Sequence, residues 1–401
     1  MLRRFAGETR SMEKVLNKEI KEFHLTFGRW SRGRSRRDFL TALSRILFSG
    51  RHEGRTLPKG ALFADDLSES EGVRVSRIGA QRNLIEDVPN GSTCFAYYDR
   101  AGIVGLAFTP DLSDELEAVR FRYGCKGLII QKDSAGITKV IHESGITIHN
   151  DRVWWQKRSV RSVLDQVRMH VPQVGVHLLR DILEFAFHHL SPRNIGATLV
   201  LYLAESGAGL ESMRSPDSVN LRDLSLNISD STVTSVISDI IARNDGATIM
   251  SPNRAILSVG SHLQNSDRSK GLVPQHKGTR HTSARRFSFD EPRAVVVTVS
   301  EDGPVTVFSD GIDIATLEET GFDTLSREVF ETVRVGDAHL ANAITNMPVR
   351  RRCENCGKMS EILEIVVPLY REDEEAYCPL CQTQIYSAHC WRLEARIVKD
   401  I

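Results

Sequence analysis

No apolar run in this 401-residue chain approaches the roughly 18 residues that would cross a bilayer, and the longest candidate, Ile195 to Ala204, has the length of a strand. No secretory leader is read, because Arg3 and Arg4 are followed by the charged stretch Glu13 to Glu22 rather than by an apolar core and a cleavage site. There is no net charge: Lys plus Arg and Asp plus Glu both number 52, so no global field draws the chain to nucleic acid or to a membrane. P-loop, GxSxG and HExxH patterns are missing, which excludes the NTPases, serine hydrolases and zinc proteases built on them. Cysteine is scarce and uneven, with seven residues of which five fall in the last 50. An odd, clustered count argues against a secreted disulfide framework and for a reducing cytoplasm.

What is present is an ordinary globular composition, 41% hydrophobic and 26% charged, at a length that predicts two to four domains. Residues 1–60 carry 15 Lys or Arg against 6 Asp or Glu. Their apolar positions, from Phe23 to Leu47, predict two short helices around the basic run Arg32, Arg34, Arg36 and Arg37, read as a solvated arm docked on its own protein. Residues 61–165 hold short β-type runs between Gly, Asn and Asp, predicting a small α+β module. Cys94 and Cys125 are read there as packed thiols, and the Trp154–Trp155 pair as interface packing rather than a stacking platform.

From about residue 174 helix and strand alternate. A helical stripe through Leu179, Ile182, Leu183, Ala186 and Leu190 ends at Ser191–Pro192–Arg193–Asn194, and a buried strand follows over 195–203. A second stripe, Val233 to Ile241, is expected to be capped near 229–231 and runs into Asn244–Asp245–Gly246–Ala247. A hairpin through Ser251–Pro252–Asn253, a polar loop over 261–277, a helix from Ser283 to Phe289 and strands over 294–300 and 305–308 complete an α/β sheet.

Three clusters at element ends carry chemistry. Asp245–Gly246–Ala247 sets a carboxylate beside a glycine, where backbone approaches closely, which suits a hard cation bearing phosphates. Gly278–Thr279–Arg280–His281 sits at a predicted helix start, where cationic side chains and free N–H groups converge on one anion. Ser300–Glu301 adds a second acidic group.

In this order and spacing the motifs resemble the DisA-type diadenylate cyclase domain, with its DGA motif, its GTRHR motif about thirty residues on and its Ser–Glu after the next strand. The resemblance covers roughly residues 174–330. It implies a mixed-sheet α/β nucleotide-binding domain over 170–335 that condenses two ATP into cyclic di-AMP and pyrophosphate across a homodimer or higher homo-oligomer, and, by analogy of architecture, that the 61–165 module is a sensor regulating it. It further implies Asp245, Arg280 and His281 as catalytic residues; Gly246, Ala247, Leu263, Thr279, Arg280 and Ser283 as nucleotide contacts; and Asp245 and Glu301 as holders of Mg²⁺ or Mn²⁺. Two positions depart from the family pattern: Thr282 stands where the motif has its second Arg, and Asn244 where relatives often have His. Losing a guanidinium removes about 1.5–3 kcal/mol of charge-assisted contact unless Arg285 or Arg286 replaces it. The alternative reading is therefore a nucleotide or cyclic-dinucleotide sensor without turnover.

Cys353–Glu354–Asn355–Cys356 and Cys378–Pro379–Leu380–Cys381, 21 residues apart, have the spacing of a zinc ribbon over 345–401, with Cys353, Cys356, Cys378 and Cys381 as ligands of a structural Zn²⁺. His389 and Cys390 are close enough to substitute, but are read as packed residues. Arg350, Arg351 and Arg352 permit nucleic-acid contact, although a solvated run is the simpler reading. His188 and His189 have no partners at metal spacing.

Overall fold

The computed structural model describes residues 13–21, 23, 25–49, 51–52, 55–77, 88–150, 153–203, 218–276, 278–301, 303–321, 344–345, 349–366, 372–390 and 392–397. The chain forms two compact units, one of residues 1–162 with 319–327 and the other of 163–318 with 328–401.

In the first unit nine strands form one sheet. Eight are β1 (Lys59–Phe63), β2 (Arg74–Arg77), β3 (Cys94–Asp99), β4 (Gly102–Phe108), β5 (Leu128–Lys132), β6 (Thr138–His142), β7 (Gly145–Asn150) and β8 (Val153–Arg158). The ninth, Glu319–Gly321, joins from far along the chain, and the order is Glu319–Gly321, β8, β7, β6, β5, β1, β3, β4, β2. Only β1 and β3 run parallel. The basic segment belongs to this unit. Of its two expected helices the second occurs, as α1 (Arg36–Leu47), and takes in Arg36 and Arg37 of the basic run; Phe23, Leu25 and Phe27, expected in the first, follow a helix over 13–21 and are not helical themselves. Trp30 and Phe39 pack on Phe63, while Phe27 lies 6.4 Å from Trp154.

Strand alternation splits the tryptophan pair. Trp154 is buried and donates through Nε1 to Glu19 Oε2 at 3.1 Å, whereas Trp155 faces outward. Trp154 thus packs inside its own unit. Cys94 and Cys125 are buried as expected, and burial raises both thiols above their ordinary range.

Helix α2 (Glu115–Cys125) starts on Asp114, whose carboxylate accepts from Leu116 N–H at 3.0 Å. Its first residue, Glu115, is buried and accepts from Lys157 Nζ at 2.8 Å and Lys139 Nζ at 2.6 Å. Lys157 is fully buried. Lys157 Nζ also lies 3.2 Å from Glu319 Oε1, so removing Glu115 takes one of two carboxylates from a fully buried ammonium and the partner from Lys139; breaking such a buried pair costs up to about 3–5 kcal/mol.

The second unit holds a seven-stranded sheet of β9 (Ala197–Tyr202), β10 (Val219–Asn220), β11 (Ala247–Met250), β12 (Ile256–Ser261), β13 (Ala294–Val299), β14 (Val305–Ser309) and β15 (Ile312–Leu317). Their order is β10, β12, β11, β9, β13, β14, β15, with β9 and β11 the parallel pair. The central strands are near-continuous apolar runs because helices cover them: Val295, Val297 and Val299 alternate with Val296 and are buried too. Helix α3 (Val176–Phe185) continues through a π turn, Ala186–Leu190, that buries His188 and His189; His189 stacks on Phe185. Helix α4 (Thr234–Arg243) begins later than its expected cap. Asp230 instead accepts from Thr232 N–H and Oγ1 in a turn upstream.

Two expectations need correction. The polar loop over 261–277 contains a helix, α5 (Asp267–Leu272), because Ser266 accepts from Ser269 N–H as an N-cap and Asp290 holds both serine hydroxyls. The helix expected from Ser283 begins four residues earlier, as α6 (Thr279–Asp290), because Gly278 adopts φ +84° and turns the chain directly into it. The C-terminal part forms small antiparallel sheets, β16 (Val349–Arg352), β17 (Met359–Val366) and β20 (Arg392–Ile397) in one, β18 (Glu372–Tyr377) with β19 (Gln384–Cys390) in the other. Residues 322–343, which include the expected end of the nucleotide domain, lie outside the described residues.

Glu115→Ala is expected to destabilise the first unit by up to about 3–5 kcal/mol. Denaturant unfolding followed by indole emission reads it, since Trp30, Trp154 and Trp155 all belong to that unit.

Candidate functional site

The floor of the main cleft is set by strand register. Ala247, Thr198, Thr298, Thr306 and Thr316 are successive cross-strand partners on β11, β9, β13, β14 and β15. Two residues along each inner strand, on the same face, lie Ile249, Val200, Val296 and Phe308, which are covered by Ala284 and Phe287 of α6. The sheet face therefore changes from apolar to hydroxylated where the helix begins. That border opens into a cleft of about 960 Å³.

On one side stands the Asp245–Gly246–Ala247 turn. Gly246 has φ +107°, and a Cβ there would lie 2.8 Å from the Gly260 carbonyl carbon and 3.0 Å from Ser261 O, so glycine is required for conformation and for space. Asp245 is exposed at the cleft, and its Oδ1 accepts from Gly246 N–H at 3.0 Å. Asn244 turns the other way, donating to Ile240 O at 2.6 Å and closing α4.

On the opposite side α6 begins with no side chain capping it, so its first N–H groups point to the cleft end. Thr279, Arg280, His281 and Ser283 all line the cleft, as do Leu263 and Ala247. Arg280 Nη2 is 3.7 Å from Glu301 Oε1. A Cβ at Gly196 would collide with that guanidinium and with Glu301 Cγ, so the glycine makes room for the pair. Neither Arg285 nor Arg286 replaces the missing arginine of the motif. Arg285 is buried and donates to Gly311 O at 2.8 Å, and Arg286 reaches toward Val273 O.

Several cleft residues have no counterpart in the motifs: Thr198, Thr306 and Thr316 of the floor, and His276 and Asp313 beside His281. A polar residue interrupting an apolar strand, as in Ile312–Asp313–Ile314, is the signal that would have marked them. Burial raises the Asp313 carboxyl above its ordinary range, against the pull of His276 and Arg285.

Asp245 and Glu301 offer the oxygen donors that Mg²⁺ or Mn²⁺ takes. The cysteines offer a different chemistry. The sulfurs of Cys353, Cys356, Cys378 and Cys381 lie within 4.8 Å of one another, with Cys353–Cys381 at 3.4 Å and Cys356–Cys378 at 3.6 Å. Tetrahedral zinc at about 2.3 Å from each sulfur needs separations near 3.8 Å, so the set fits that ion. Two knuckles build it in the same way. Cys353 N–H donates to Lys358 O and Gly357 N–H to Cys353 O; Cys378 N–H donates to Thr383 O and Gln382 N–H to Cys378 O. Gly357 and Gln382 hold the matching left-handed positions, at φ +72° and +59°. Cys390 is buried, and the His389 side chain lies outside the described residues. Of the arginine run, Arg350 pairs with Glu361 and Arg351 lies over the Tyr386 ring.

Two outcomes follow. Gly246→Ala is expected to cost about 1–3 kcal/mol through strain at positive φ and backbone crowding, read as a lowered melting temperature. Cys353→Ser or Cys378→Ser is expected to abolish tight binding of about one zinc per chain, measured by elemental analysis, and to unfold residues 345–401 locally, read by hydrogen exchange.

Residues 184–312 match the family model described as DisA bacterial checkpoint controller nucleotide-binding. No curated protein matches the chain. Among solved structures it is similar to a hypothetical membrane spanning protein from Bacillus cereus, at 22% identity over 40% of this chain and 72% of that one, with a TM-score of 0.30. It is also similar to a double cysteine mutant of DacA from Staphylococcus aureus, at 22% identity over 39% of this chain and 94% of that one, with a TM-score of 0.25. No helix among the described residues is long and apolar enough to cross a membrane. The segment 184–312 that matches the DisA nucleotide-binding family model holds Thr198, Thr298 and Thr306 of the floor, the Asp245 turn and the start of α6.

Proposed function

We propose that this protein is a diadenylate cyclase, condensing two ATP into one cyclic di-AMP and two pyrophosphate. The observation that carries the reading is the convergence of Asp245, Arg280, His281 and Glu301 on one cleft inside the segment that matches the DisA family. The triphosphate lies against the start of α6, where Thr279, Arg280 and His281 present N–H groups and side chains to an anion. Gly246 and Ala247 let backbone approach the nucleotide, and Leu263 flanks the base. Ser283 adds a hydroxyl, which Asn265 Nδ2 orients from 3.4 Å.

Each 3′-hydroxyl attacks the α-phosphate of the facing nucleotide and displaces pyrophosphate. Positioning and charge stabilisation dominate such a transfer, so few residues need change covalently. Arg280 and His281 stabilise charge that develops on the phosphates. Asp245 and Glu301 would hold Mg²⁺ or Mn²⁺, which supplies Lewis-acid neutralisation when bound. Glu301 also steadies the Arg280 guanidinium. One cleft accommodates one ATP and the product joins two, so the active species is a homodimer or higher homo-oligomer. The zinc-ribbon cysteines have a structural role in this reading, because four thiolates leave no open coordination position.

Purified protein incubated with ATP and Mg²⁺ or Mn²⁺ is expected to form cyclic di-AMP, identified by mass. Asp245→Asn is expected to lower the rate by about 100-fold or more without lowering the melting temperature. ATP binding by calorimetry with no product at any protein concentration would instead favour the nucleotide sensor.

A further inference from the structure

Thr282 occupies the position of the family's second motif arginine, yet in this structure it is fully engaged. Its Oγ1 accepts from His276 N–H at 3.0 Å and lies 3.1 Å from His276 O and 2.9 Å from Gly278 O. One hydroxyl thus ties the end of the preceding loop to the first turn of α6. Arginine has five donors and no acceptor, so it cannot receive the His276 N–H.

The loop so pinned delivers the His276 ring to His281. The two imidazoles lie 5.1 Å apart and within 14° of parallel. Both stand edge-on to Phe308, at 5.6 and 6.0 Å. Asp313 Oδ2 is 3.5 Å from His276 Nε2, and Asp313 is the cross-strand partner of Phe308, so the sheet itself fixes the carboxylate. His276, His281 and Asp313 all line the cleft.

We propose that His276 is a positioning residue for His281, held by Thr282 and Asp313, and that this arrangement takes the place of the missing arginine. The proposal rests on the cyclase reading for its consequence in turnover, but not for its consequence in ATP binding. Thr282 then marks a rebuilt site rather than a decayed one. Reintroducing an arginine would release the loop and take the second imidazole from the cleft.

The test compares wild type with Thr282→Val, Thr282→Ser, Thr282→Arg, His276→Ala and His276→Gln, each checked by thermal melting. ATP affinity is measured by calorimetry with Mg²⁺, and kcat and KM by cyclic di-AMP formation. Thr282→Val and His276→Ala are expected to lose about tenfold or more in kcat, with smaller changes in KM, and to bind ATP several-fold more weakly. Thr282→Ser, which keeps the hydroxyl, is expected to recover what Thr282→Val loses, and Thr282→Arg is expected to lower activity. If His276→Ala does not fold, His276→Gln and the Thr282 series carry the comparison. Unchanged kcat and ATP affinity in the Val and His276 variants, or a rise in turnover with Thr282→Arg, would overturn the proposal while leaving the cyclase reading intact. A wild type that makes no product, with ATP binding still weakened by Thr282→Val and recovered by Thr282→Ser, would overturn the cyclase reading while leaving this one intact.

Discussion

The second unit is organised by a single border on one face of its sheet, the line where valine and phenylalanine give way to threonine. Helix α6 can bury Ala284 and Phe287 only over the apolar side of that line, against Val200, Val296 and Phe308. Its first turn must then lie at the hydroxylated side. Gly278, in a conformation that other residues rarely adopt, lets the chain arrive there without a capping side chain. The placement of Arg280 and His281 follows from that packing, as does the room that Gly196 leaves for the Arg280–Glu301 pair. Burial of two aromatic and aliphatic layers thereby aims a set of polar groups at open space.

The cysteine cluster has its own logic. Its four thiolates are soft donors that suit zinc, whereas the Asp245 and Glu301 carboxylates at the cleft are hard donors that suit a different class of ion. The ribbon nevertheless touches the nucleotide domain: Lys358 lies over the Phe289 ring near the end of α6, and Leu380 sits beside Gly311. These contacts are at the far end of the helix from the cleft.

Short-range patterns in the sequence were legible. The Asp245 turn and the two C-x-x-C knuckles each declare themselves within a few residues, because a single backbone constraint sets each, whereas the start of α6 lies four residues before the expected Ser283. The α/β class was legible from alternating helical and strand patterns. What depends on distant partners was not. Glu319–Gly321 joins a sheet whose other strands end at Arg158, and no local pattern announces that pairing. The threonine floor comes from register across five strands, invisible until the strands are aligned. His276 lay in a stretch read as loop, and the Thr282 hydroxyl and the Asp313 carboxylate hold it beside His281. The departure from the family motif thus looked like a loss in the sequence, whereas in three dimensions that position is occupied by a different set of contacts.

The most direct test of the whole account is a crystal structure with Mg²⁺ and an ATP analogue that lacks the 3′-hydroxyl. The triphosphate is expected at the start of α6 against Arg280 and His281, the base by Leu263, and two copies of the domain with their clefts face to face. An analogue bound away from the Asp245 turn and the α6 start, or a cleft closed to a facing copy, would contradict it.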